Sequence, residues 1–216
     1  MPWKLASCQH HPKKPASDLE SYRPISLTSC VVKVLERMIA NRLYHLAEMN
    51  GWIHAAQAGF RKGRSCEDQI IRVVQQISDG FNRKPFHRSV MVLLDFSKAY
   101  DTVWRERLLL AMMDIGVPKP FIRWLNAFLG NRHARVRFNG VNSGCRTMRQ
   151  GLPQGSVLAP LLLLFYIDSL AKILPTENLN SMFADDLGVV ATARSHIDAQ
   201  RSAQETVDVV SNWILV

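Results

Sequence analysis

The sequence predicts an α+β fold in which helices pack against antiparallel strands. Apolar residues recur at helical spacing between positions 31 and 46, with Thr28 or Ser29 as N-cap and Gly51 past the predicted end. Two short apolar runs flank an Asp-Asp pair and predict a tight hairpin over 181–190. A second hairpin is predicted at Asn139-Gly140, the strongest short turn signal in the chain.

The other elements follow in chain order. Ser65 and Asp68 have the spacing of a capping box and predict the start of a second helix. The apolar face expected for that helix consists of Ile70, Ile71, Val74, Ile77 and Phe81. The continuous apolar run 90–94 predicts a fully buried strand. Further helices are predicted over 104–115, 120–129 and about 160–174, and a last one opens at Ser195.

Three aspartates stand at the ends of predicted strands. Asp95 closes the apolar run 90–94, and Asp185 and Asp186 lie at the tip of the hairpin over 181–190. Carboxylates gathered at strand ends repel one another unless a cation lies among them, so the pattern favours a metal site. The alternative interpretation is a solvated turn, because Asp hydrogen-bonds its own backbone and is common in turns.

Magnesium suits such a cluster of carboxylates. It is a hard ion that takes one or two carboxylates together with substrate phosphates and retains some of its waters. Two such ions about 3.5–4 Å apart clamp the attacking and leaving oxygens of an in-line phosphoryl transfer. The three aspartates therefore point to phosphoryl-transfer chemistry, provided that the fold brings them together.

Charge is unevenly distributed along the 216 residues. Residues 1–150 carry 24 Lys and Arg against 11 Asp and Glu, whereas residues 151–216 carry 3 against 7. A basic surface beside an acidic site suits a polyanionic partner, although lysines and arginines that only solubilise helices give the same bias. The four cysteines lack the spacing of a zinc site or a disulfide scaffold, which favours a reducing intracellular compartment.

No segment of the sequence predicts membrane insertion or secretion. The longest apolar stretch, 157–167, is too short to span a bilayer and contains Pro160. The residues after Lys4 soon become polar, so no secretory apolar region is present. We therefore expect no membrane partner.

Five sequence blocks carry a family resemblance. In chain order they are 22–27, 59–65, 94–101, 150–156 and 183–186, the last reading Phe183-Ala184-Asp185-Asp186. Together they closely resemble the fingers and palm of reverse transcriptases, specifically those of non-LTR retrotransposons of the LINE and jockey type. The resemblance implies right-hand polymerase fingers over 1–88 and an antiparallel palm sheet packed on helices over 89–216, with the thumb missing.

The resemblance also implies a role for individual residues. Asp95 and Asp185 match the two metal-binding aspartates, and Asp186 matches a neighbour in less direct contact with metal. Arg61 and Arg64, in the loop near 59–65, match residues that line the template path. The expected nucleotide-binding residues are Arg23, Phe96, Tyr100, Gln154, Gly155 and a fingertip lysine, either Lys13 or Lys14. Within that set, the Tyr100 ring matches the one that leaves no room for a 2′-hydroxyl.

The activity implied is RNA-directed DNA polymerisation with two Mg²⁺ ions, or Mn²⁺ in their place. The expected partners are an RNA template, a DNA primer and a dNTP, and the expected location is intracellular and nuclear, by family resemblance. Two alternatives stay open. One is an inactive, truncated remnant that retains only nucleic-acid binding. The other is a two-metal nuclease, whose chemistry would need the carboxylates but not the sequence blocks that contain Tyr100 and Gln154.

Overall fold

The computed structural model of the chain describes residues 5–10, 17, 22–138 and 140–215. They form two compact units, each assembled from two segments: residues 1–50 and 98–166 in the first, and 51–97 and 167–216 in the second. In chain order the elements are β1 (Leu5–His10), β2 (Tyr22–Leu27), α1 (Cys30–Asn50), α2 (Cys66–Asn82), β3 (Arg88–Asp95), α3 (Ala99–Thr102), α4 (Arg105–Asp114), α5 (Lys119–Leu129), β4 (Arg132–Phe138), β5 (Val141–Asn142), β6 (Arg146–Met148), α6 (Ala159–Ala171), β7 (Leu179–Phe183), β8 (Asp186–Ala193) and α7 (His196–Leu215).

The first unit contains a five-stranded sheet of order β2-β1-β4-β5, with β6 paired to β4. Strand β1 runs antiparallel to β2 and parallel to β4. Strands β4 and β5 form the predicted hairpin, whose turn residue Asn139 lies outside the described residues. No local pattern in the sequence predicts β1, and its parallel register with β4 joins segments more than 100 residues apart.

Helix α1 confirms the first predicted helix and buries one unusual residue. Ala40, Leu43 and Ala47 are buried on the same face as Glu36, whose side chain is fully buried. One carboxylate oxygen of Glu36 accepts hydrogen bonds from the Ser156 hydroxyl and from the backbone N–H groups of residues 157 and 158. A carboxylate at this position satisfies donors that precede helix α6 and would otherwise be buried without partners.

The second unit is built on the three-stranded antiparallel sheet β3-β8-β7. Helix α2 covers one face, where Gln69 accepts a hydrogen bond from Ser181 on β7 and Gly80 lies against Ser89 and Thr192. Helix α7 lies against β8 and β3. Both faces of β8 are covered, since consecutive residues point to opposite faces and Val189 and Val190 are both fully buried.

Strand β3 is not the fully buried strand that its apolar run predicts. It forms the edge of its sheet, and Met91 and Leu93 are 45% and 74% exposed. Helix α2 crosses the sheet from Ser181 on β7 to Ser89 on β3, and Met91 and Leu93 lie outside its path. A continuous apolar run does not distinguish an edge strand from a central one.

The capping box that opens α2 is present, but the predicted apolar face does not pack. Ser65 and Asp68 exchange hydrogen bonds between side chain and backbone in both directions. Gln69 and Gly80 face the sheet instead of the apolar set, of which Ile70, Ile71, Val74 and Phe81 are more than half exposed. The contact with the sheet uses the adjacent strip of helix surface, where small and amide residues allow close approach.

The remaining predicted helices are present as α4, α5, α6 and α7. Leu108 and Met112 of α4 and Leu125 and Leu129 of α5 are almost fully buried, and the two helices pack together. At the start of α7, Ser195 and Asp198 are hydrogen-bonded as predicted. In the part of the chain that the structure describes, no helix combines the length and hydropathy needed to cross a bilayer.

Candidate active site

The second unit brings two of the three aspartates face to face. Asp95 is the last residue of β3 and Asp186 is the first residue of β8, and the two are direct partners in the antiparallel register. Side chains of such partners lie on the same face of a sheet, with Cβ atoms about 4.5–5.5 Å apart. Strand pairing thus brings together two carboxylates that lie far apart in the sequence.

Asp185 is held beside this pair by a tight turn. Strand β7 ends at Phe183 and β8 begins at Asp186, so only Ala184 and Asp185 connect them. Ala184 has a φ of 56°, the left-handed value that two-residue hairpin turns commonly need at their first central residue. The turn thereby restricts the backbone of Asp185 to one place at the strand end.

Electrostatics show that the three carboxylates interact. Partial burial raises the pKa of Asp186, and the charges of Asp185 and Asp95 raise it further. Ionisation of Asp186 therefore costs more free energy than ionisation of a free aspartate. A cation bound among the three carboxylates would remove that penalty.

The donor chemistry of the cluster fits a hard divalent ion. All three side chains supply carboxylate oxygens, and Asp95 and Asp186 are exposed enough for an ion to reach them. Among the described residues, no three His, Cys, Asp or Glu side chains already surround one point as metal ligands. Magnesium does not need such a cage, because one or two carboxylates suffice when substrate phosphate and water complete its coordination.

Phe96, the residue after Asp95, packs against the last helix. Its ring meets the ring of Trp213 edge to face, with centroids 6.1 Å apart. The Trp213 indole N–H donates to the Ser169 hydroxyl at 3.0 Å. This contact anchors the chain where it leaves the acid cluster.

In the first unit, the segment carrying Tyr100 is joined to the segment carrying Gln154. The carbonyl of half-buried Tyr100 accepts from the N–H of Leu152 at 2.6 Å. The Gln154 amide nitrogen donates to the Asp101 carboxylate at 3.0 Å. Asp101 lies within α3, and its carboxylate holds Gln154, while Trp104 is the N-cap of α4.

Arg105 fastens the same two segments together and was not found by sequence reasoning. Its guanidinium donates to four backbone carbonyls, those of Leu129, Met148, Gln150 and Gly151, over 2.7–2.8 Å. Burial lowers its pKa, and the nearby Arg132 lowers it further. No motif marks this arginine, because all four acceptors are backbone groups.

Gly155 has a local reason to be glycine. Its φ is 94°, and a Cβ at this position would lie 3.1 Å from the Ile25 side chain and from the Ser26 carbonyl of β2. The neighbouring Gln154 carbonyl accepts from the Ser26 N–H at 2.6 Å. The 154–155 loop therefore lies directly on strand β2, where a side chain would force it away.

The basic residues assigned to the template differ in exposure. Arg61 is buried and donates to the carbonyls of His54 and Gln57, whereas Arg64 is exposed and donates to the carbonyl of Ala55. Arg132 is buried above the Phe128 ring, so it contributes little to the basic surface of the chain. The side chain of Arg23 and both fingertip candidates, Lys13 and Lys14, lie outside the described residues.

Removal of one charge from the cluster should stabilise the metal-free chain. Because the pKa of Asp186 is raised in the folded state, its ionisation weakens folding as pH rises through that pKa. We expect Asp186→Asn to raise the thermal midpoint at pH 7 in EDTA, and this gain to vanish below the pKa of an unfolded aspartate. The matched control is Asp208→Asn, an exposed aspartate on α7. A lower midpoint at pH 7, or a gain that persists at pH 3, would contradict the charge repulsion.

The chain is similar to known proteins over nearly its whole length. Residues 11–215 match the family model described as reverse transcriptase (RNA-dependent DNA polymerase). Two relatives from Drosophila melanogaster are the probable RNA-directed DNA polymerases from transposon BS, 34% identical, and from transposon X-element, 36% identical. Each alignment covers 98% of this chain and 24% of the relative, so the chain spans about a quarter of the length of these relatives.

Solved structures share the fold at low sequence identity. Apo telomerase from Candida tropicalis has a TM-score of 0.64 at 12% identity, with 95% of this chain and 42% of that chain covered. Telomerase from Candida albicans, solved in complex with a fragment of telomeric RNA, has a TM-score of 0.63 at 13% identity, with 98% and 39% covered. The fold class expected from the sequence is confirmed, and the chain belongs to the reverse transcriptase family.

Proposed function

We propose that this chain is the fingers and palm part of an RNA-directed DNA polymerase of a non-LTR retrotransposon. The reaction is transfer of a nucleotide from a dNTP to the 3′-hydroxyl of a DNA primer paired with an RNA template. The observation that carries the proposal is the strand register that sets Asp95 opposite Asp186, with Asp185 in the adjoining turn. Family membership supports the same reaction class.

In this proposal Asp95 and Asp185 hold two Mg²⁺ ions, or Mn²⁺ ions, and Asp186 adds negative charge beside them. When bound, such ions supply charge stabilisation for the attacking and leaving oxygens. The carboxylates are fixed at strand ends before any ion arrives, so little rearrangement is needed during the reaction. No side chain has to act as a covalent nucleophile, because positioning and charge account for most phosphoryl-transfer catalysis.

The remaining assignments concern the nucleotide and the template. By family resemblance, the residues assigned to nucleotide binding are Arg23, Phe96, Tyr100, Gln154, Gly155 and either Lys13 or Lys14. We assign template phosphate contact to Arg64, whose guanidinium is exposed, while buried Arg61 shapes the loop that carries it. The division into fingers over 1–88 and palm over 89–216 belongs to the same proposal, as does a nuclear site of action.

Primer extension tests the proposed reaction. The 216-residue chain should extend a DNA primer on an RNA template with dNTPs and Mg²⁺, and EDTA should stop it. Asp185→Asn should lower the rate at least about 100-fold, because it removes a carboxylate required for metal-dependent charge stabilisation. Asp208→Asn on α7 is the matched control and should retain full activity.

Three outcomes of that assay would oppose the proposal in different ways. Template binding without extension would indicate a nucleic-acid-binding remnant. Shortening of the primer instead of extension would indicate a nuclease. Equal rates for the wild type and Asp185→Asn would show that this carboxylate does not serve the reaction.

The bond between Asp101 and Gln154 predicts a selective effect on nucleotide affinity. Asp101→Ala should raise the KM for dNTP about 10-fold, since loss of a charge-assisted hydrogen bond that orients Gln154 costs on the order of 1.5 kcal/mol. Asp101→Asn keeps an oxygen that can accept from Gln154 and should restore most of the affinity. Asp114→Ala, at an exposed position on α4, is the control. A KM that is unchanged in Asp101→Ala, or raised equally in both Asp101 variants, would contradict the role of this bond.

A further inference from the structure

We propose that Gln57 is a positioning residue that sets the conformation of the turn carrying Asp185, and thereby the affinity of the acid cluster for divalent metal. This inference rests on the proposed function. Gln57 is 3% exposed and has no assigned role in the sequence blocks of the family resemblance. It belongs to the same unit as the three aspartates.

The Gln57 side-chain amide forms hydrogen bonds with both the N–H and the C=O of Ala184. Its amide nitrogen donates to the Ala184 carbonyl at 3.0 Å, and its amide oxygen accepts from the Ala184 N–H at 2.8 Å. These two bonds saturate the backbone of the turn residue directly before Asp185. The two bonds hold the peptide units on either side of the Ala184 Cα, so neither unit can rotate without breaking a buried hydrogen bond.

The backbone around Gln57 follows the turn just as closely. The Ala58 N–H donates to the Met182 carbonyl, and the Met182 N–H donates to the Ala56 carbonyl. Gly59, whose N–H also binds the Gln57 amide oxygen, passes so near that an added Cβ would lie 2.1 Å from the Ala184 nitrogen. The segment 56–59 therefore packs directly against the turn.

Buried polar contacts with other residues of the same unit also hold this segment in place. The Arg61 guanidinium donates to the carbonyls of His54 and Gln57 at 3.0 and 3.1 Å. The His54 N–H donates to buried Asp168 at 2.6 Å, and Asp168 is paired with Lys172. Gln57 thus stands on a supported backbone, so its amide can resist movement of the turn.

The turn needs this support because its conformation is uncommon for the residues that form it. Ala184 has a φ of 56°, which a residue with a Cβ adopts only when its surroundings enforce it. Repulsion among the adjacent carboxylates also favours opening of the turn. Without the Gln57 amide, we expect Asp185 to sample other directions and to bind metal less tightly.

Metal binding measured without substrate tests the inference. Mn²⁺ binding to the full 216-residue chain is followed by electron paramagnetic resonance of the free ion, for the wild type, Asp185→Asn and Gln57→Met. Methionine fills a similar volume but makes neither hydrogen bond. We expect Gln57→Met to weaken Mn²⁺ binding about 10-fold or more, which is the usual effect of removing a group that orients a metal ligand.

Gln69→Met is the matched control for a merely structural effect. Gln69 is also a buried glutamine, and it accepts a hydrogen bond from Ser181 on β7 without touching the turn. It should lose stability comparable to Gln57→Met while keeping wild-type Mn²⁺ affinity. Equal affinity in the two variants would overturn the role of Gln57 and leave the metal site intact. No Asp185-dependent Mn²⁺ binding in the wild type would overturn the proposed function and this inference with it.

Amide hydrogen exchange gives a second measurement that does not need a folded variant. In the wild type, NMR should show the Ala184 and Gly59 amides protected to the same degree as the amides within β8, because both donate to Gln57. Exchange of the Ala184 amide at the rate of an open turn would overturn the inference, even if Gln57→Met fails to fold. If Gln57→Met does fold, protection should fall at these two amides and be retained within β8.

Discussion

The antiparallel register of β3 and β8 is the constraint on which the candidate active site depends. It places Asp95 opposite Asp186, and the two-residue turn before β8 adds Asp185. A slip of one residue would send one of these carboxylates to the other face of the sheet. Ser89 and Thr192, which are direct partners in the same register, are hydrogen-bonded at 3.0 Å through their hydroxyls, and a slip would break this half-buried bond.

Hydrogen bonds between buried or half-buried polar groups, many of them to the backbone, hold the functional residues of both units. Arg105 donates hydrogen bonds to four backbone carbonyls, and Asp101 accepts one from Gln154. The Tyr100 carbonyl accepts one from the backbone N–H of Leu152. In the other unit, Gln57 holds the turn before Asp186 by hydrogen bonds to the backbone of Ala184. The residues proposed to contact nucleotide or metal are thus placed by a layer of hydrogen bonds that itself takes no part in the chemistry.

Sequence reasoning predicted the features that have a local signature. The Ser65 capping box and the hairpin at Asp185 follow from short patterns, and the structure has both. The convergence of Asp95 with that hairpin has no local signature and was expected from the family resemblance. Sequence reasoning missed the packing of α2 and the exposure of Met91 and Leu93, because periodicity indicates which residues are apolar but not which surface meets a neighbour. It also missed the roles of Gln57, Asp101 and Arg105, whose partners lie far along the chain.

Anomalous scattering from Mn²⁺ in crystals of the chain with a dNTP would test the central claim most directly. The account predicts a peak within bonding distance of carboxylate oxygens of both Asp95 and Asp185, on the face of the sheet that these residues share with Asp186. It also predicts that the peak disappears in crystals of Asp95→Asn. Ions bound only at other carboxylates, or a peak unaffected by the loss of Asp95, would contradict it.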